Sequence, residues 1–529
     1  MCGLLGYAGD RLKLKNFEVE FDKLKHRGPD DTKILTLDNA TLAFHRLAIM
    51  DTTGHGNQPL FDSTTGNYLI CNGEVYNYPT LRAEFDKDYH FISHSDCEVI
   101  LPLYKKCGLK ETALRLDAEY AFVIYDAKTK TLVAARDPIG IRPLFYGYSL
   151  AENKIMFASE VKVLTPYCLK INPFPPGYYF DGENFICYRN PSKAIKQGPR
   201  DMDKVLTSIR EKLIEGVRKR LTADVPIGFL LSGGLDSSLV CSIAAKILKT
   251  PITTFSVGMN VNPIDIKYAK IVADYLKTNH HEVYFNELDV KMILDELIFQ
   301  LETWDITTIR ASIGMYLVCK YIREKTDIKV IFTGEISDEL FGYKYTDFAP
   351  TPEEFQKESA KRIHELYLYD VLRADRCISS HSLEARVPFG DLDFVDFVME
   401  IPAEIKMNKY NMGKYLLRAA FIGDYLPNEI LYRDKAAFSD AVGHSMVDHL
   451  KSYAESLYTD QQFKEKSAQF SYARPFTKES LLYREIFEKH FSGQAHLIKD
   501  FWMPNKEWPG CNVNDPSARV LSNYGQSGV

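Results

Sequence analysis

The second residue of the chain is a cysteine, in the opening MCGLLGY, and its position has a chemical consequence. An initiator methionine is usually removed when a small residue follows it. Loss of Met1 would leave Cys2 with both a thiol and the free α-amino group of the chain. The thiolate is the nucleophilic form of cysteine, and an α-amino group that titrates near pH 8 can accept the thiol proton. The terminus therefore predicts a nucleophile that carries its own base.

A second chemical signal is LLSGGLDSS (230–238), which lies between a predicted buried strand and a predicted helix. Gly233 and Gly234 allow a tight turn with exposed backbone N–H groups, and the helix N-terminus adds positive potential, so we expect an anion there. The loop lacks the lysine of the P-loop, which argues against γ-phosphoryl transfer and fits a grip on pyrophosphate. A glycine turn capped by Asp236 or Ser237 is the simpler alternative.

A second acidic loop, TGEISDE (333–339), follows another predicted parallel strand. Loops that follow parallel strands lie at the same edge of a sheet, where the ligands of such folds gather. Carboxylate oxygens are ligands that Mg²⁺ prefers. We therefore expect Asp236 and Asp338 to share one Mg²⁺.

The composition limits the class of protein. The chain has 529 residues, 45% hydrophobic and 26% charged, which is typical of two or three globular domains. Its net charge of −6 gives no electrostatic case for nucleic acid. It contains no apolar run long enough for a membrane helix and no signal-peptide pattern, so we expect a cytoplasmic protein with no membrane partner. The ten cysteines are scattered without a C-x-x-C pair, which indicates reduced thiols and no zinc site.

The first 160 residues favour strands of a mixed or antiparallel sheet. Short alternating or apolar runs predict strands in 41–51, 67–77, 119–126, 130–137 and 154–160, with a helix in 96–108. The segment 172–200 is rich in proline, glycine and polar residues, and we interpret it as the boundary of this domain.

The chain changes character from about residue 203. Apolar residues recur every four positions from Val205 to Leu221, which predicts one buried stripe along a helix. Apolar strands then alternate with amphipathic helices, and the strands are predicted in 227–231, 252–258, 281–285 and 329–334. This alternation is typical of a doubly wound parallel α/β sheet. From about 352 the sequence is mainly helical.

The loop SGGLDSS resembles the pyrophosphate loop of the N-type ATP pyrophosphatases, and its pairing with an N-terminal cysteine is similar to the class B, glutamine-dependent asparagine synthetases. Further motifs resemble this family in order along nearly the whole chain: HRGPD (26–30), HRLAIMD (45–51), NGEVYN (72–77), SDCEVI (95–100), ARDPIGIRPLFYG (135–147), ETWDITTIRAS (302–312), GEISDELFG (334–342), LEARVPF (383–389) and KAAFSDAVG (435–443).

The resemblance implies a two-domain α/β protein. Residues 1–190 would form the glutaminase domain, an αββα sandwich of the N-terminal-nucleophile hydrolases. Residues 200–529 would form the synthetase domain, a doubly wound parallel sheet of the ATP-pyrophosphatase type with a helical C-terminal part. The implied assembly is a homodimer.

The implied reaction uses glutamine, aspartate and ATP with Mg²⁺. Glutamine is hydrolysed to glutamate and ammonia, ATP adenylates the aspartate side-chain carboxylate and releases pyrophosphate, and ammonia displaces AMP to give asparagine. Bulk water would protonate the ammonia, so the family also implies a dry passage between the two sites.

In the glutaminase domain the resemblance implies Cys2 as nucleophile, with the Asn72 side chain and the Gly73 N–H as oxyanion donors. Arg46 suits the α-carboxylate of glutamine through a bidentate fork. The remaining implied glutamine contacts are Glu74 and Asp96 for the α-ammonium and the backbone segment Leu47, Ala48, Ile49 and Met50.

In the synthetase domain the implied contacts with ATP or pyrophosphate are Leu230, Leu231, Ser232, Gly233, Gly234, Asp236, Ser237, Ser238, Val257, Thr333, Gly334 and Lys435. Glu335 would lie near the acyl-adenylate, as a candidate base for ammonia. Thr307 and Arg310 would assist at the phosphate and the developing charge. Arg386 is a weaker candidate, because it could equally make a structural ion pair.

Several positions depart from the family pattern. Thr333 stands where a serine is usual, Ile336 replaces the second glycine of the acidic loop, and Gly390 stands where leucine is usual. The later Gly-Gly pair is shortened to Gly342 followed by Tyr343. If position 336 needs a positive φ, its β-branched side chain would cost about 1 to 3 kcal/mol.

Two other functions remain open from the sequence. One is a related ligase that adenylates a different carboxylate, as the β-lactam synthetases do, although these lack the nucleophilic cysteine. The other is a non-catalytic protein that keeps the fold, which the altered acidic loop makes conceivable. Retention of Cys2, Arg46, Asn72, Asp96, Asp236 and Asp338 together argues against it.

Overall fold

The computed structural model describes residues 1–194, 196–261, 263–434 and 444–524, and the side chains of residues 444 and 445 are not described. The chain separates into two compact units. Unit 1 comprises Met1–Asn190, Ala223–Pro226 and Ser379–Glu384, and unit 2 comprises Pro191–Thr222, Ile227–Ile378 and Ala385–Val529. Within the described residues, no helix is both long and apolar enough to cross a bilayer.

Unit 1 contains two six-stranded antiparallel sheets. Its strands are β1 (Gly3–Tyr7), β2 (Asp31–Thr36), β3 (Thr41–Arg46), β4 (Leu60–Asp62), β5 (Asn67–Val75), β6 (Ala118–Asp126), β7 (Thr131–Arg136), β8 (Phe145–Ser149), β9 (Ile155–Ala158), β10 (Cys168–Pro173), β11 (Tyr178–Phe180) and β12 (Phe185–Cys187). The first sheet has the order β10-β8-β9-β1-β3-β2 and the second has the order β12-β11-β7-β6-β5-β4.

Alternation of side chains along the central strands builds two cores from these sheets. Ile70 and Val123 face the first sheet and pack with Leu4 and Phe44. Their strand neighbours, such as Phe122, face the opposite side and pack against helices. The helices of unit 1 are α1 (Phe17–Phe21), α2 (Tyr78–Phe85) and α3 (Ile100–Arg115), the last interrupted at Gly108. The predicted αββα sandwich is confirmed.

Unit 2 is built on a five-stranded sheet of order β15-β14-β13-β16-β17. Its strands are β13 (Ile227–Leu230), β14 (Thr253–Met259), β15 (Asn279–Phe285), β16 (Val330–Phe332) and β17 (Glu384–Arg386). Strand β13 pairs in parallel with both β14 and β16. The strand order therefore reverses at β13, where the chain leaves for β14 on one side and returns as β16 on the other. Ligands of open α/β sheets bind at such a reversal.

Helices make up most of the rest of unit 2. They are α4 (Met202–Arg220), α5 (Leu235–Leu248), α6 (Ile264–Leu276), α7 (Glu287–Leu301), α8 (Ile306–Lys325), α9 (Ser337–Phe341), α10 (Pro352–Glu365), α11 (Asp370–Ser379), α12 (Leu392–Glu400), α13 (Ala403–Lys406), α14 (Tyr415–Ala420), α15 (Asn428–Leu431), α16 (His444–Leu457), α17 (Asp460–Ser467) and α18 (Lys478–Phe491). The doubly wound parallel sheet and the helical C-terminal part agree with the sequence prediction.

Two features differ from the sequence-based expectation. The segment 172–200 is not only a linker, because it contains β11 and the edge strand β12. Short edge strands tolerate the proline and glycine that suggested a loop. The mainly helical part after residue 352 contributes β17, which is too short to show a periodic pattern.

Candidate active sites

In unit 1 the residue before β1 lies at the centre of the candidate glutaminase site. Strand β1 is hydrogen-bonded to β3 on one side and β9 on the other, so Cys2 is fixed at the end of a central strand. The Cys2 backbone N–H donates to Asn72 Oδ1 at 2.9 Å. The Leu47 backbone N–H lies 3.4 Å from Cys2 Sγ. The thiol is thereby placed between β5 and the loop that follows β3.

The amide of Asn72 is oriented by its contact with Cys2. Because Oδ1 accepts the Cys2 N–H, Nδ2 must point the other way. Asn72 is only 1% exposed, and Nδ2 has no hydrogen-bond partner among the described residues. A buried amide donor without a partner is costly unless a ligand completes it. Asn72 thus presents a preorganised donor beside the thiol.

Burial controls the titration of this site. It raises the pKa of the Cys2 thiol above its ordinary value, against smaller opposing effects of the chain terminus and the Leu47 backbone. It also lowers the pKa of the Met1 α-ammonium to about 5. Met1 itself is 1% exposed, and its terminal nitrogen donates to Leu383 O at 3.3 Å. An amine buried here is neutral at pH 7, whereas the thiol is protonated.

Arg46 organises the loop after β3. Its Nη1 donates to Thr53 O at 2.7 Å and to Asn57 Oδ1 at 2.6 Å, and its Nη2 donates to Met50 O at 3.2 Å and to Asp51 O. Within the part of the chain that the structure describes, no carboxylate forms an ion pair with this guanidinium. Its charge therefore remains available to an anionic ligand.

The other predicted glutamine contacts are buried in the same unit. Asp96 Oδ2 accepts the Val75 N–H at 2.6 Å, which joins it to the end of β5 beside Glu74. The segment Leu47, Ala48, Ile49 and Met50 is buried, and Asp30 Oδ2 accepts the Ala48 N–H at 2.8 Å. Gly73 lies against β6, where a Cβ atom would come within 2.6 Å of Glu119 O. The strand therefore requires glycine at position 73.

In unit 2 the loops after β13 and β16 meet at the reversal of strand order. Gly334 makes this possible, because a Cβ atom there would lie 2.8 Å from Ser237 N. Ser337 Oγ donates to Asp236 Oδ1 at 2.7 Å. The Ser232 and Ser237 hydroxyl oxygens are 3.0 Å apart at the start of α5. The two loops predicted separately from the sequence thus form one site.

Ile336, which stands where the family has glycine, has a left-handed backbone with φ 80° and ψ −20°. Its side chain is 1% exposed. A β-branched residue at positive φ is a genuine outlier, with a cost of about 1 to 3 kcal/mol. The conditional prediction of strain at this position is confirmed.

Asp236 and Asp338 converge on the ammonium of Lys414. Lys414 Nζ is 2.8 Å from both Asp236 carboxylate oxygens and 2.7 Å from Asp338 Oδ1. Two carboxylates directed at one point fit the hard oxygen donors of Mg²⁺, which commonly takes one or two carboxylates and completes its shell with substrate phosphates. Among the described residues, no group of three or more His, Cys, Asp or Glu side chains forms a metal cluster.

Glu335 forms an ion pair with Arg373 Nη2, and Asp370 Oδ1 lies 3.3 Å from the same nitrogen. The Arg373 guanidinium thereby holds the Glu335 side chain at the pocket. Burial, together with the Asp370 and Asp338 carboxylates, raises the pKa of the neighbouring Glu339 well above its ordinary value.

Arg310 is held by carboxylates. Its Nη2 is 2.5 Å from Glu479 Oε2, its Nη1 is 3.1 Å from Asp515 Oδ1, and Nη1 also donates to Ser517 Oγ at 2.9 Å. Thr307 Oγ1 donates to Trp502 O at 3.4 Å. Both residues line the same pocket, where they anchor C-terminal segments of unit 2.

Most of the predicted nucleotide contacts line this pocket of unit 2: Leu230, Leu231, Ser232, Gly234, Asp236, Ser237, Val257, Thr333 and Gly334, together with Glu335 and Asp338. Thr333 Oγ1 is buried without a hydrogen-bond partner among the described residues, which leaves a hydroxyl for a ligand. Gly233 and Ser238 do not line it, because Ser238 is fully buried within α5. Lys435 lies outside the described residues.

Arg386 is structural in this arrangement. Its Nη1 donates to Arg220 O at 2.6 Å and to Thr222 O, at the C-terminal end of α4. These helix-end contacts favour a structural role for Arg386.

Sequence reasoning missed several charged residues of the pocket, among them Lys414, Asp370 and Arg373. Lys414 belongs to no quoted motif, and 178 positions separate it from Asp236. Asp370 and Arg373 are three positions apart on α11. This spacing predicts an ion pair on a helix, but it does not indicate that the pair lies in a ligand-binding pocket.

Comparison with known proteins gives matches to two families. Residues 1–175 match the family described as a glutamine amidotransferase domain, and residues 208–353 and 345–512 match the family described as asparagine synthase. The chain is 41% identical over 557 residues to a probable glutamine-hydrolysing asparagine synthetase of Acanthamoeba polyphaga mimivirus, covering 98% of this chain and 100% of that protein. It is 40% identical over 565 residues to the glutamine-hydrolysing asparagine synthetase of Cricetulus griseus, covering 99% of each.

Among solved structures, a glutamine phosphoribosylpyrophosphate amidotransferase of B. subtilis covers 47% of this chain and 65% of its own length. The sequence identity is 19% and the TM-score is 0.30, so we base no argument on that likeness.

Proposed function

Because the chain belongs to the glutamine-hydrolysing asparagine synthetases, we propose how its residues divide that reaction between the two units. The protein makes asparagine from aspartate with ATP and takes the nitrogen from glutamine. The main observation behind assigning ammonia release to unit 1 is the position of Asn72. Its orphaned amide donor lies beside the Cys2 thiol in unit 1, whereas the acidic pocket lies in unit 2.

The first half of the reaction is the release of ammonia. Cys2 attacks the carboxamide carbon of glutamine, and its thiol proton passes to the α-amine that Met1 removal exposes. The proposal is supported by the position of the Cys2 nitrogen, which Asn72 Oδ1 holds at 2.9 Å on the same residue as the thiol. Asn72 Nδ2 and the Gly73 N–H then stabilise the oxyanion. The intermediate collapses to a thioester as the C–N bond breaks, and the protonated amine gives its proton to the departing ammonia. Water then hydrolyses the thioester and releases glutamate.

Recognition of free glutamine is assigned to the charged groups around this thiol. We propose that Arg46 binds the α-carboxylate, since its guanidinium has no carboxylate partner among the described residues. Glu74 and Asp96 bind the α-ammonium, and the backbone of residues 47–50 closes the site. Arg46 also holds its own loop through carbonyl groups, so its loss would lower both affinity and loop order.

The second half activates aspartate. We propose that ATP binds against Leu230, Leu231 and Val257, with its phosphates over the loop 232–237 and near Thr333 and Gly334. Attack of the aspartate side-chain carboxylate on the α-phosphorus gives the acyl-adenylate and releases pyrophosphate. Glu335, held by Arg373, lies next to the activated carboxyl. Lys435 neutralises phosphate charge in this proposal.

Mg²⁺ is the metal we propose for this site. Asp236 and Asp338 would hold it, and their shared approach to one cationic centre supports the assignment. When bound, the ion supplies charge neutralisation at the phosphates of ATP. In this proposal Thr307 and Arg310 act indirectly and not by contact with the phosphates. The Arg310 guanidinium is already bound by Glu479 and Asp515.

We also propose a cytoplasmic homodimer. The homodimer rests on the family resemblance alone, and the location rests on the sequence pattern. Light scattering coupled to size-exclusion chromatography measures the assembly, and a mass of one chain would contradict it. Cell fractionation measures the location.

The test of the division of labour is Cys2→Ala. Pyrophosphate and asparagine are measured with glutamine or with an ammonium salt as the nitrogen source. The variant should lose the glutamine-supported reaction and keep the ammonium-supported one. The exposed Cys187→Ala provides the matched control and should keep both. Equal loss with both nitrogen sources in Cys2→Ala would contradict the proposal.

A further inference from the structure

The ammonium of Lys414 occupies a cage of oxygen atoms in unit 2. Besides the carboxylates of Asp236 and Asp338, the Ser337 hydroxyl oxygen lies 3.0 Å from Lys414 Nζ. The Lys414 side chain is 4% exposed, so these contacts replace most of its water. All the partners come from the two loops that follow β13 and β16. One lysine thus ties both loops of the pocket together.

The backbone of Lys414 supports a specific placement of this side chain. It has φ 58° and ψ 35°, a left-handed conformation that non-glycine residues seldom adopt. Lys414 precedes α14, and its own backbone carbonyl accepts the Arg418 N–H at 3.1 Å. Residues in sparsely populated backbone conformations persist where the surrounding structure holds them in place, and they cluster at functional sites.

The same two carboxylates are the proposed Mg²⁺ ligands, so two cations compete for one place. An ammonium 2.7–2.8 Å from both carboxylates repels a metal ion that approaches them. ATP alters this balance because its phosphates bring negative charge that can hold both cations. Without the nucleotide, only one of the two cations can be accommodated.

Resting on the proposed Mg²⁺ site, we propose that Lys414 is a placeholder cation. It neutralises Asp236 and Asp338 while no nucleotide is bound, and the divalent ion displaces it from them only together with ATP. The lysine thereby makes metal binding depend on the nucleotide. It is a positioning residue, since it sets the geometry of the two loops before the substrate arrives.

The test measures binding of Mn²⁺, as a paramagnetic probe for Mg²⁺, to the full chain by electron paramagnetic resonance. The wild-type protein should bind the probe tightly only when ATP is present. Lys414→Gln should bind Mn²⁺ alone roughly tenfold or more tightly than the wild type does, because the repelling charge is gone. Equal metal-alone affinity in both proteins would overturn the proposal.

Two further variants control for indirect effects. Asp236→Asn added to Lys414→Gln should abolish the gain, because it removes one ligand. Lys406→Gln removes another buried lysine, which donates to Val398 O at 3.1 Å, and should leave Mn²⁺ binding unchanged. A gain that survives the loss of Asp236 would place the metal elsewhere and overturn the proposal.

A thermal measurement covers the case in which Lys414→Gln folds poorly. Mg²⁺ alone should raise the melting temperature of this variant and leave that of the wild type unchanged. The absence of any Mg²⁺-dependent shift in the variant would count against the placeholder role. If the wild type binds no Mn²⁺ even with ATP, the proposed metal site itself fails, which is a distinguishable result.

Discussion

Asn72 accepts the Cys2 backbone N–H through its side-chain oxygen at 2.9 Å, and this single hydrogen bond decides where its amide donor points. The side chain thereby holds the Cys2 backbone while its Nδ2 has no partner among the described residues, as the proposed oxyanion donor requires. The sequence motif NGE identified Asn72 as a candidate, and the contact between β5 and the N-terminal segment orients its side chain.

Asn72→Ala should lower the glutaminase kcat by roughly 100- to 1000-fold, the usual effect of removing one oxyanion donor. Glutamate release from glutamine measures this loss. Ammonium-supported asparagine formation should be unchanged. Asn67 lies on the same strand and accepts the Ala127 N–H at 2.9 Å, so Asn67→Ala is a matched control with normal kcat. Parallel losses in the two variants would mean that β5 was merely disrupted.

Met1 should be removable only before unit 1 folds, since its side chain and terminal nitrogen are enclosed. Protein made while methionine aminopeptidase is inhibited should keep Met1 and lack glutaminase activity, because the Cys2 nitrogen is then an amide. Treatment of the folded chain with the aminopeptidase should leave its mass unchanged, whereas the urea-unfolded chain should lose one methionine. Efficient trimming of the folded chain would refute this order of events.

Ile336→Gly should be more stable than Ile336→Ala by about 1 kcal/mol, since both lose the same packing and only glycine tolerates φ 80° without strain. This reverses the ordinary order, in which glycine is the less stable by about 0.5 to 1 kcal/mol. Thermal unfolding of the full chain compares the pair. The same substitutions at Ile331, in the extended strand β16, should show the ordinary order. The same order at both positions would exclude strain at Ile336.

Lys406 should make the stability of the folded chain depend on pH. Burial lowers its pKa to about 7 from 10.5. Between these values the unfolded chain binds more protons, so stability contributed at this site rises with pH across that window. Lys406→Met should therefore gain most relative to the wild type near pH 7, and the gain should shrink towards pH 10. The exposed Lys33→Met is the control, and a pH-independent gain at Lys406 would disagree with this origin.

Local patterns predicted nine of the seventeen described strands. The repeat of apolar residues every four positions predicted helix α4, and its Val205, Ile209, Leu213 and Val217 are fully buried. Such a repeat is a local signal, because residues about one turn apart lie on the same face of a helix. The loops after β13 and β16 were also predictable, since glycines and acidic residues after an apolar strand form a local signal. Ser238 is buried within α5 and does not line the pocket, and its motif alone does not show which face of α5 it lies on.

The sequence by itself determined the chemistry: a nucleophile at the terminus, two acidic loops and the family that combines them. Only the tertiary structure decided the partners of these groups. The Arg310 guanidinium is occupied by Glu479 and Asp515, Glu335 is paired with Arg373, and Lys414 lies between Asp236 and Asp338. The reason is physical. These contacts join residues that are 38 to 205 positions apart, which leaves no periodicity in the chain, and the charged partners are fixed only when folding buries them together.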